Sequence, residues 1–345
     1  MKIGIVGATG YGGADLLRLL HQHPKVNEII LYSSSQEGVH IHESYPHLST
    51  IYEQSLNEIN VEKIAKQVDI VFLATPPGVS AELSEPLVNL GVQVIDLSGD
   101  LRIKDTEIYQ SWYKRESASQ SIIDQAVYGL PEWNKEAIEK AKVVANPGCY
   151  PTATLLGLAP LIKANLIELD SIIVDAKSGT SGAGRSPSAI THFSEMNENF
   201  KAYQINKHKH TPEIEQILQQ WDEGVEVITF QPHLVPMVRG IMATIYAKAK
   251  APITESDLRK LYEENYQQAP FVRVRPEGAF PATKEVYGSN FCDIGVTYDK
   301  RTGRITVVSV IDNVVKGASG QAIQNLNIMN GWEEQTGLAF VPVYP

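Results

Sequence analysis

Short apolar runs alternate with helically spaced stretches through the first part of the chain. KIGIV (residues 2–6), Glu28 to Leu31, DIVFLA from Asp69, and Val92 to Asp96 are such runs, with segments of helical apolar spacing between them. Runs that are apolar on both faces and joined by helices are how parallel strands with crossover helices read. The pattern predicts an α/β fold whose first part, residues 1–147, is a Rossmann-type doubly wound parallel sheet. From Ser171 the runs become longer and β-branched, with fewer helices between them: Ser171 to Asp175, Val225 to Phe230, Ile241 to Ala247 and Ile305 to Ile311. These predict an α+β domain over residues 148–315 with a mixed or antiparallel sheet. A helix from Lys316 to Asn330 follows, and the segment 316–345 is expected to return to the first domain. Lys177 to His210 is rich in Gly, Ser and polar residues with little periodicity, and an ordered loop of that length in a compact domain is usually functional.

Composition narrows the possible partners. At 345 residues the chain has apolar material for two cores. A formal charge of −10 opposes nucleic acid and anionic membranes as partners but leaves a small anionic substrate open, bound at a local site. No run is long and apolar enough to span a bilayer, and the start MKIGIVGATG has none of the regions of a signal peptide. Two cysteines, Cys149 and Cys292, are too few for a disulfide framework and lack zinc-site spacing, so a reducing, cytoplasmic setting is expected. His40, His42 and His47 have no flanking carboxylate motif or cysteine pair and read as solvated side chains, so no metal is expected.

The first strand runs into GATGYGG, residues 7–13, and then the helical pattern ADLLRLL. Gly7, Gly10 and Gly13 thus fall at a strand-to-helix turn, where phosphate meets unpaired backbone N–H groups; Thr9, Tyr11 and Gly12 complete the candidate nucleotide turn. The spacing is GxxGxxG, and a purely structural glycine turn is the competing reading. NAD sites usually carry an acidic residue at the end of the second strand, where this chain has Ser33, Ser34 and Ser35. Neutral hydroxyls there suit a 2′-phosphate and favour NADP, although serines are also ordinary turn residues. Ala74, Thr75 and Pro76 end the third strand on the ligand-binding edge of an open sheet, or simply terminate it.

ANPGCYPTATLLGL, residues 145–158, reads as a strand end, a Pro-Gly turn, a cysteine and a helix with Pro151 near its first turn. That places Cys149 at a helix N-terminus, where the dipole favours the reactive thiolate; a buried core cysteine is the bland alternative. Cys292 lies in the strand-like run SNFCDIGV and reads as an inert packed thiol.

GATGYGG, SGDLR (98–102), YGLPE (128–132), NPGCYPTA (146–153), SGTSGAGR (178–185), HKHTPEI (208–214) and DNVVKGASGQAIQN (312–325) together resemble the N-acetyl-gamma-glutamyl-phosphate reductase family, nearly end to end. That family is similar to aspartate-semialdehyde dehydrogenase and, more distantly, to glyceraldehyde-3-phosphate dehydrogenase. The aspartate-semialdehyde relatives carry a histidine soon after a Val-Pro segment, and VPMVRGIM (235–242) has none. The resemblance places the acid/base in HKHTPEI, where Thr211 and Pro212 have the types of an N-cap and first helical residue. His208 and His210, two apart in an extended segment, would face opposite sides, so one reaches the site; His210 is favoured. Glu213 is an orienting carboxylate or a first-turn acid on the helix dipole. His233 is read as ending a strand near the site without taking part.

The resemblance further implies cofactor contacts at Ser178, Gly179 and Gly182, and at Asn313 a hold on the nicotinamide carboxamide. Arg102 would grip the leaving phosphate, and Arg185 or Arg239 the substrate carboxylate; a salt bridge is the alternative for the last two. The implied activity is NADPH-dependent reduction of an acyl phosphate through a Cys149 thioester, by a homodimer or homotetramer. An aspartyl or carrier-linked aminoadipyl phosphate is the alternative substrate, and a non-catalytic NADP-sensing protein the alternative class.

Overall fold

A computed structural model describes residues 1–344. The chain forms two compact units, residues 1–147 with 318–339, and residues 148–317 with 340–344. The expected return segment is therefore divided: its helix belongs to the first unit, and residues 340–344 to the second.

The first unit holds six strands: β1 (Lys2–Val6), β2 (Glu28–Tyr32), β3 (Ile70–Leu73), β4 (Gln93–Asp96), β5 (Val127–Tyr128) and β6 (Val143–Ala145). They pair in the order β2-β1-β3-β4-β6-β5, all parallel. The chain leaves β1 in one direction and returns on its other side, so the reversal of order falls beside the carboxyl end of β1, where open sheets bind ligands. The four long strands are nearly solid apolar runs because both of their faces are covered, as in the buried residues of β3. The Gly320–Met329 helix is buried along its whole length and ties to the helix Tyr11–Leu20 where the Ser319 hydroxyl donates to Asp15 at 2.5 Å.

The second unit carries β7 (Ile173–Ser178), β8 (Lys201–Ala202), β9 (Thr229–Leu234), β10 (Ile241–Lys248), β11 (Val272–Val274), β12 (Cys292–Asp299) and β13 (Arg304–Ile311). Their order is β11-β12-β13-β10-β7-β9-β8. The sheet is mixed, because β7–β9 and β11–β12 are parallel while the other pairs are antiparallel. One expected strand is displaced: the run 225–230 becomes a strand only from Thr229, and it continues through Pro232. Proline donates nothing, yet its carbonyl still accepts the Tyr203 N–H at 3.2 Å, so the ladder survives there.

The helix Cys149–Lys163 is the core of this unit, with every residue from Tyr150 to Ile162 buried. A helix apolar all round must be enclosed. Gly157 brings it close to the sheet, since a Cβ there would lie 2.8 Å from Ile245 Cδ1. Pro160 inside the helix deprives the Leu156 carbonyl, four residues earlier, of its usual N–H donor. The buried Tyr266 hydroxyl, from the helix Glu255–Tyr266, donates to that carbonyl instead. Tyr262 of the same helix donates to the Gly157 carbonyl at 2.6 Å. Among the described residues no helix is long and apolar enough to cross a membrane.

Tyr266→Phe removes only that repair and should lower unfolding free energy by about 1–2 kcal/mol. Urea titration checks this, and Phe at an exposed tyrosine such as Tyr344 should cost under about 0.5 kcal/mol.

Candidate active site

The nucleotide turn separates two kinds of glycine. Gly7 has φ +87°, and a Cβ on it would come 2.3 Å from the Ala74 carbonyl oxygen; one on Gly13 would come 2.4 Å from the Gly7 carbonyl. Both are demanded by packing. A Cβ on Gly12 would meet nothing within 4 Å, and on Gly10 only the Gly7 carbonyl at 3.5 Å. The fold does not need glycine at position 12, whereas a closely approaching phosphate would. The helix Tyr11–Leu20 starts at Gly10 with no side-chain cap and no acidic residue in its first turn, so its N–H groups and positive end suit an anion. Tyr11 is 41% exposed, and the Thr9 carbonyl accepts the Tyr45 hydroxyl at 2.9 Å. Ser33 is buried and accepts the Ser35 N–H at 3.4 Å, while Ser34 and Ser35 are exposed. In the Ala74-Thr75-Pro76 segment the Thr75 hydroxyl is buried with no hydrogen-bond partner, a polar atom poised for a ligand. These residues fit a dinucleotide.

Arg102 is 5% exposed, and its guanidinium donates to the carbonyls of Asn146 at 2.7 Å and Leu97 at 3.0 Å. It braces the loops after β4 and β6, a task its expected grip on phosphate did not include.

Cys149 is the first residue of its helix, is only partly buried, and has no side-chain cap or acidic first-turn residue ahead of it. Pro151 sits in the first turn, where its missing N–H costs nothing. The Gly148 N–H donates to Glu213 Oε1 at 2.8 Å. Glu213 is fully buried, and it belongs to the helix His210–Trp221, so the starts of these two helices are clamped together. Gly317 presses from another side, since a Cβ on it would lie 2.6 Å from Cys149 Cβ. Gly317 is presented by a π-turn, Val315–Ser319, that stands where the final helix was expected to begin.

The two histidines depart from expectation. Lys209 is already right-handed helical, and the helix begins at His210 with Thr211 inside it, so the segment is not extended and Thr211 is not its cap. The rings of His208 and His210 therefore lie together, 4.7 Å between centroids, with no opposed facing. The Tyr150 ring contacts both, at 5.4 Å and 5.9 Å. His208 Nδ1 accepts the His210 N–H at 3.2 Å. Burial first, and then the Lys209 charge, depresses the His208 pKa from 6.5 to about 3. A ring that is neutral and occupied in this way is a poor acid/base. His233 lies within β9; its carbonyl accepts the Tyr150 hydroxyl at 3.3 Å.

Asn313, 3% exposed, uses both ends of its amide: Oδ1 accepts the Gly240 N–H at 2.7 Å and Nδ2 donates to Ser181 at 2.9 Å. It thus joins the Gly-Ser loop to the turn before β10. Gly179 is packed into the same junction, where a Cβ would meet the Val238 carbonyl oxygen at 2.6 Å. A Cβ on Gly182 would lie 3.3 Å from the Ser178 hydroxyl, and Ser178 is buried. Arg239 is half-buried, 3.6 Å from the fully buried Asp312, whereas Arg185 is exposed on the loop. Among the described residues no group of three or more His, Cys, Asp or Glu is placed to hold a metal ion.

Tyr150, Tyr203 and Tyr45 have no role in the sequence reading, and Gly317 only a place at the opening of the final helix. Tyr150 adjoins the cysteine and Gly317 lies in the DNVVKGASG motif, so position alone flagged them; nothing local marks Tyr45 or Tyr203.

The family model described as "Semialdehyde dehydrogenase, NAD binding domain" matches residues 2–141, and "Semialdehyde dehydrogenase, dimerisation domain" matches residues 149–313. Curated proteins named N-acetyl-gamma-glutamyl-phosphate reductase from Geobacillus sp. (strain WCH70) and Halalkalibacterium halodurans are 62% and 64% identical over 345 residues, covering 100% of this chain and of each relative. The one from Bacillus subtilis is 59% identical with the same coverage. Among solved structures, aspartate semialdehyde dehydrogenase II from Vibrio cholerae shares the fold with a TM-score of 0.72 at 21% identity, covering 96% of this chain and 98% of that one. Aspartate semialdehyde dehydrogenase with NADP from Candida albicans gives 0.66 at 18% identity, covering 95% and 98%.

Because the unfolded chain takes up a proton on His208 below pH 6.5 and the folded one does not until about pH 3, stability is intact above 6.5 and declines as pH falls through that window. His208→Gln should therefore lose about 2 kcal/mol less than the parent between pH 7.5 and pH 5, read by urea titration. Gly12→Ala should keep the melting temperature and weaken nucleotide binding at least about tenfold, whereas Gly13→Ala should lower both.

Proposed function

We propose that this chain, which belongs to the N-acetyl-gamma-glutamyl-phosphate reductase family, reduces N-acetyl-gamma-glutamyl phosphate to N-acetylglutamate 5-semialdehyde and phosphate, a step of arginine biosynthesis. The observation that carries the chemistry is the partly exposed Cys149 heading an uncapped helix whose start is tied by Glu213 to the start of the His210 helix.

Cys149 adds as thiolate to the acyl carbon, the bond from that carbon to the phosphate oxygen breaks, and a thioester remains on the sulfur. The N–H groups of the helix's first turn are suited to the oxyanion that forms on the way. A thiolate here has two influences in opposition. The helix start favours it, while the nearby Glu213 carboxylate disfavours it, so a protonated His210 is the natural counter-charge. When bound, the nicotinamide cofactor supplies the hydride that reduces the thioester carbon. His210 gives its proton to the oxygen that develops there and takes it back as the carbonyl re-forms and the thiolate leaves.

A nicotinamide dinucleotide is the cofactor class of the family, and the three serines after β2, which leave no carboxylate opposite a ribose 2′-phosphate, support NADP. Of the two arginines, Arg239 is the better candidate for the substrate carboxylate, because it is half-buried and held beside Asp312, whereas Arg185 is exposed. The dimerisation-domain match supports self-association, and the half-exposed side chains Met242, Thr244 and Tyr246 on one face of the second sheet suit a two-fold contact giving a dimer or, by a further contact, a tetramer. A reduced nucleophilic thiol suits the cytoplasm.

In a coupled assay with N-acetylglutamate semialdehyde, phosphate and NADP, the protein should form NADPH at least about a hundred times faster than with aspartate semialdehyde or with NAD. Cys149→Ala should abolish this turnover and leave NADPH affinity within about twofold. Retained phosphate-dependent activity in that variant would refute the thioester route.

A further inference from the structure

A buried chain of hydrogen bonds runs beside Cys149 with both of its ends set by the backbone. At its head the His210 N–H can only donate, and it donates to His208 Nδ1 at 3.2 Å. A neutral His208 with that nitrogen occupied carries its proton on Nε2, which faces the Tyr203 hydroxyl at 3.4 Å. Tyr203 donates onward to the Tyr150 hydroxyl at 3.2 Å, and Tyr150 donates to the His233 carbonyl at 3.3 Å, which can only accept. With the ends fixed, every hydrogen in the chain points the same way. A chain of this polarity cannot carry a proton from one end to the other without turning over all its members.

We propose that Tyr203 and His208 are positioning residues, forming with Tyr150 a one-way brace that holds His210 for proton transfer at the acyl group on Cys149, so that His208 is not itself the acid/base. The inference rests on the function proposed above. Four parts of the second unit meet in the brace: Tyr150 follows Cys149 on its helix, His208 precedes the His210 helix, His233 is in β9, and Tyr203 follows β8 within the Gly-Ser loop. Rings enclose it, with His208 5.5 Å from Tyr203 and 5.6 Å from Phe230. Burial, and in addition the charge of Cys149, hold both phenols protonated. Lys209, the cation beside His208, works in the same sense by opposing a second positive charge on the ring. The brace also explains why a tyrosine from a loop otherwise concerned with binding reaches His208, the neighbour of the catalytic histidine: seating the loop completes the support.

The test compares four substitutions in the protein with the acyl-phosphate assay. Gln at 208 keeps an acceptor and a donor on one side chain but cannot titrate, so His208→Gln should hold kcat within about fivefold, whereas His210→Gln should lose about a hundredfold or more. Tyr203→Phe should lower kcat about tenfold with both KM values within twofold. His208→Asn, with a shorter amide, guards against a poor fit of Gln, and at least one of the two should be active. Loss of activity in both as deep as in His210→Gln, or an unchanged kcat in Tyr203→Phe, overturns the proposal. A readout without substrate keeps it apart from the function it rests on: nitrogen-15 spectra of ring-labelled histidine should show His208 neutral with its proton on Nε2 at pH 5 and pH 8. A ring protonated at pH 5, or carrying its proton on Nδ1, overturns the brace even if the parent proved inactive on this substrate.

Discussion

Glu213 is a carboxylate with no solvent contact, and its Oε1 accepts the N–H of the residue before Cys149. Burying such a group is costly unless its lone pairs are met, and a charge-assisted bond of this kind returns about 1.5–3 kcal/mol. Its geometric effect matters more than its energy. The starts of two helices are held at one point, which presents a sulfur on one and an imidazole on the other. Removing the carboxylate would leave the Gly148 N–H unpaired and release that alignment.

The clamp needs rigid elements on both sides, and the packing supplies them. The Cys149 helix is enclosed along thirteen successive positions, and where Pro160 interrupts its ladder a tyrosine from a neighbouring helix takes the freed carbonyl. Gly317, carried on a π-turn, closes against the cysteine where any side chain would collide. Asn313 and Gly179 fasten the Gly-Ser loop to the turn before β10, so the loop enters the site from a fixed base. The catalytic groups are thus held by a sheet and two helices, and a loop supplies the additional contacts.

Period and composition were enough to find the parallel sheet, the mixed sheet, the glycine turn and the cysteine at a helix start, because each is written in adjacent residues. The His210 helix starts two residues earlier than its sequence suggests. Thr211-Pro212 has the types of a cap and first position, yet the His210 N–H finds its acceptor on the His208 ring, which lets the helix begin earlier. That is a tertiary choice invisible to spacing. The roles of Glu213, Tyr203 and Arg102 were likewise hidden: each depends on a partner between 5 and 65 residues away, and no local pattern states which backbone group a buried side chain will serve.

The chemistry turns on an acyl group carried by one sulfur. Intact-mass and peptide mass spectrometry of the protein mixed with N-acetyl-gamma-glutamyl phosphate in the absence of NADPH tests this directly. One N-acetylglutamyl group per chain, located on Cys149 and discharged when NADPH is added, is the predicted result. An unmodified Cys149 in a preparation that turns over the substrate, or acylation confined to Cys292, would contradict it.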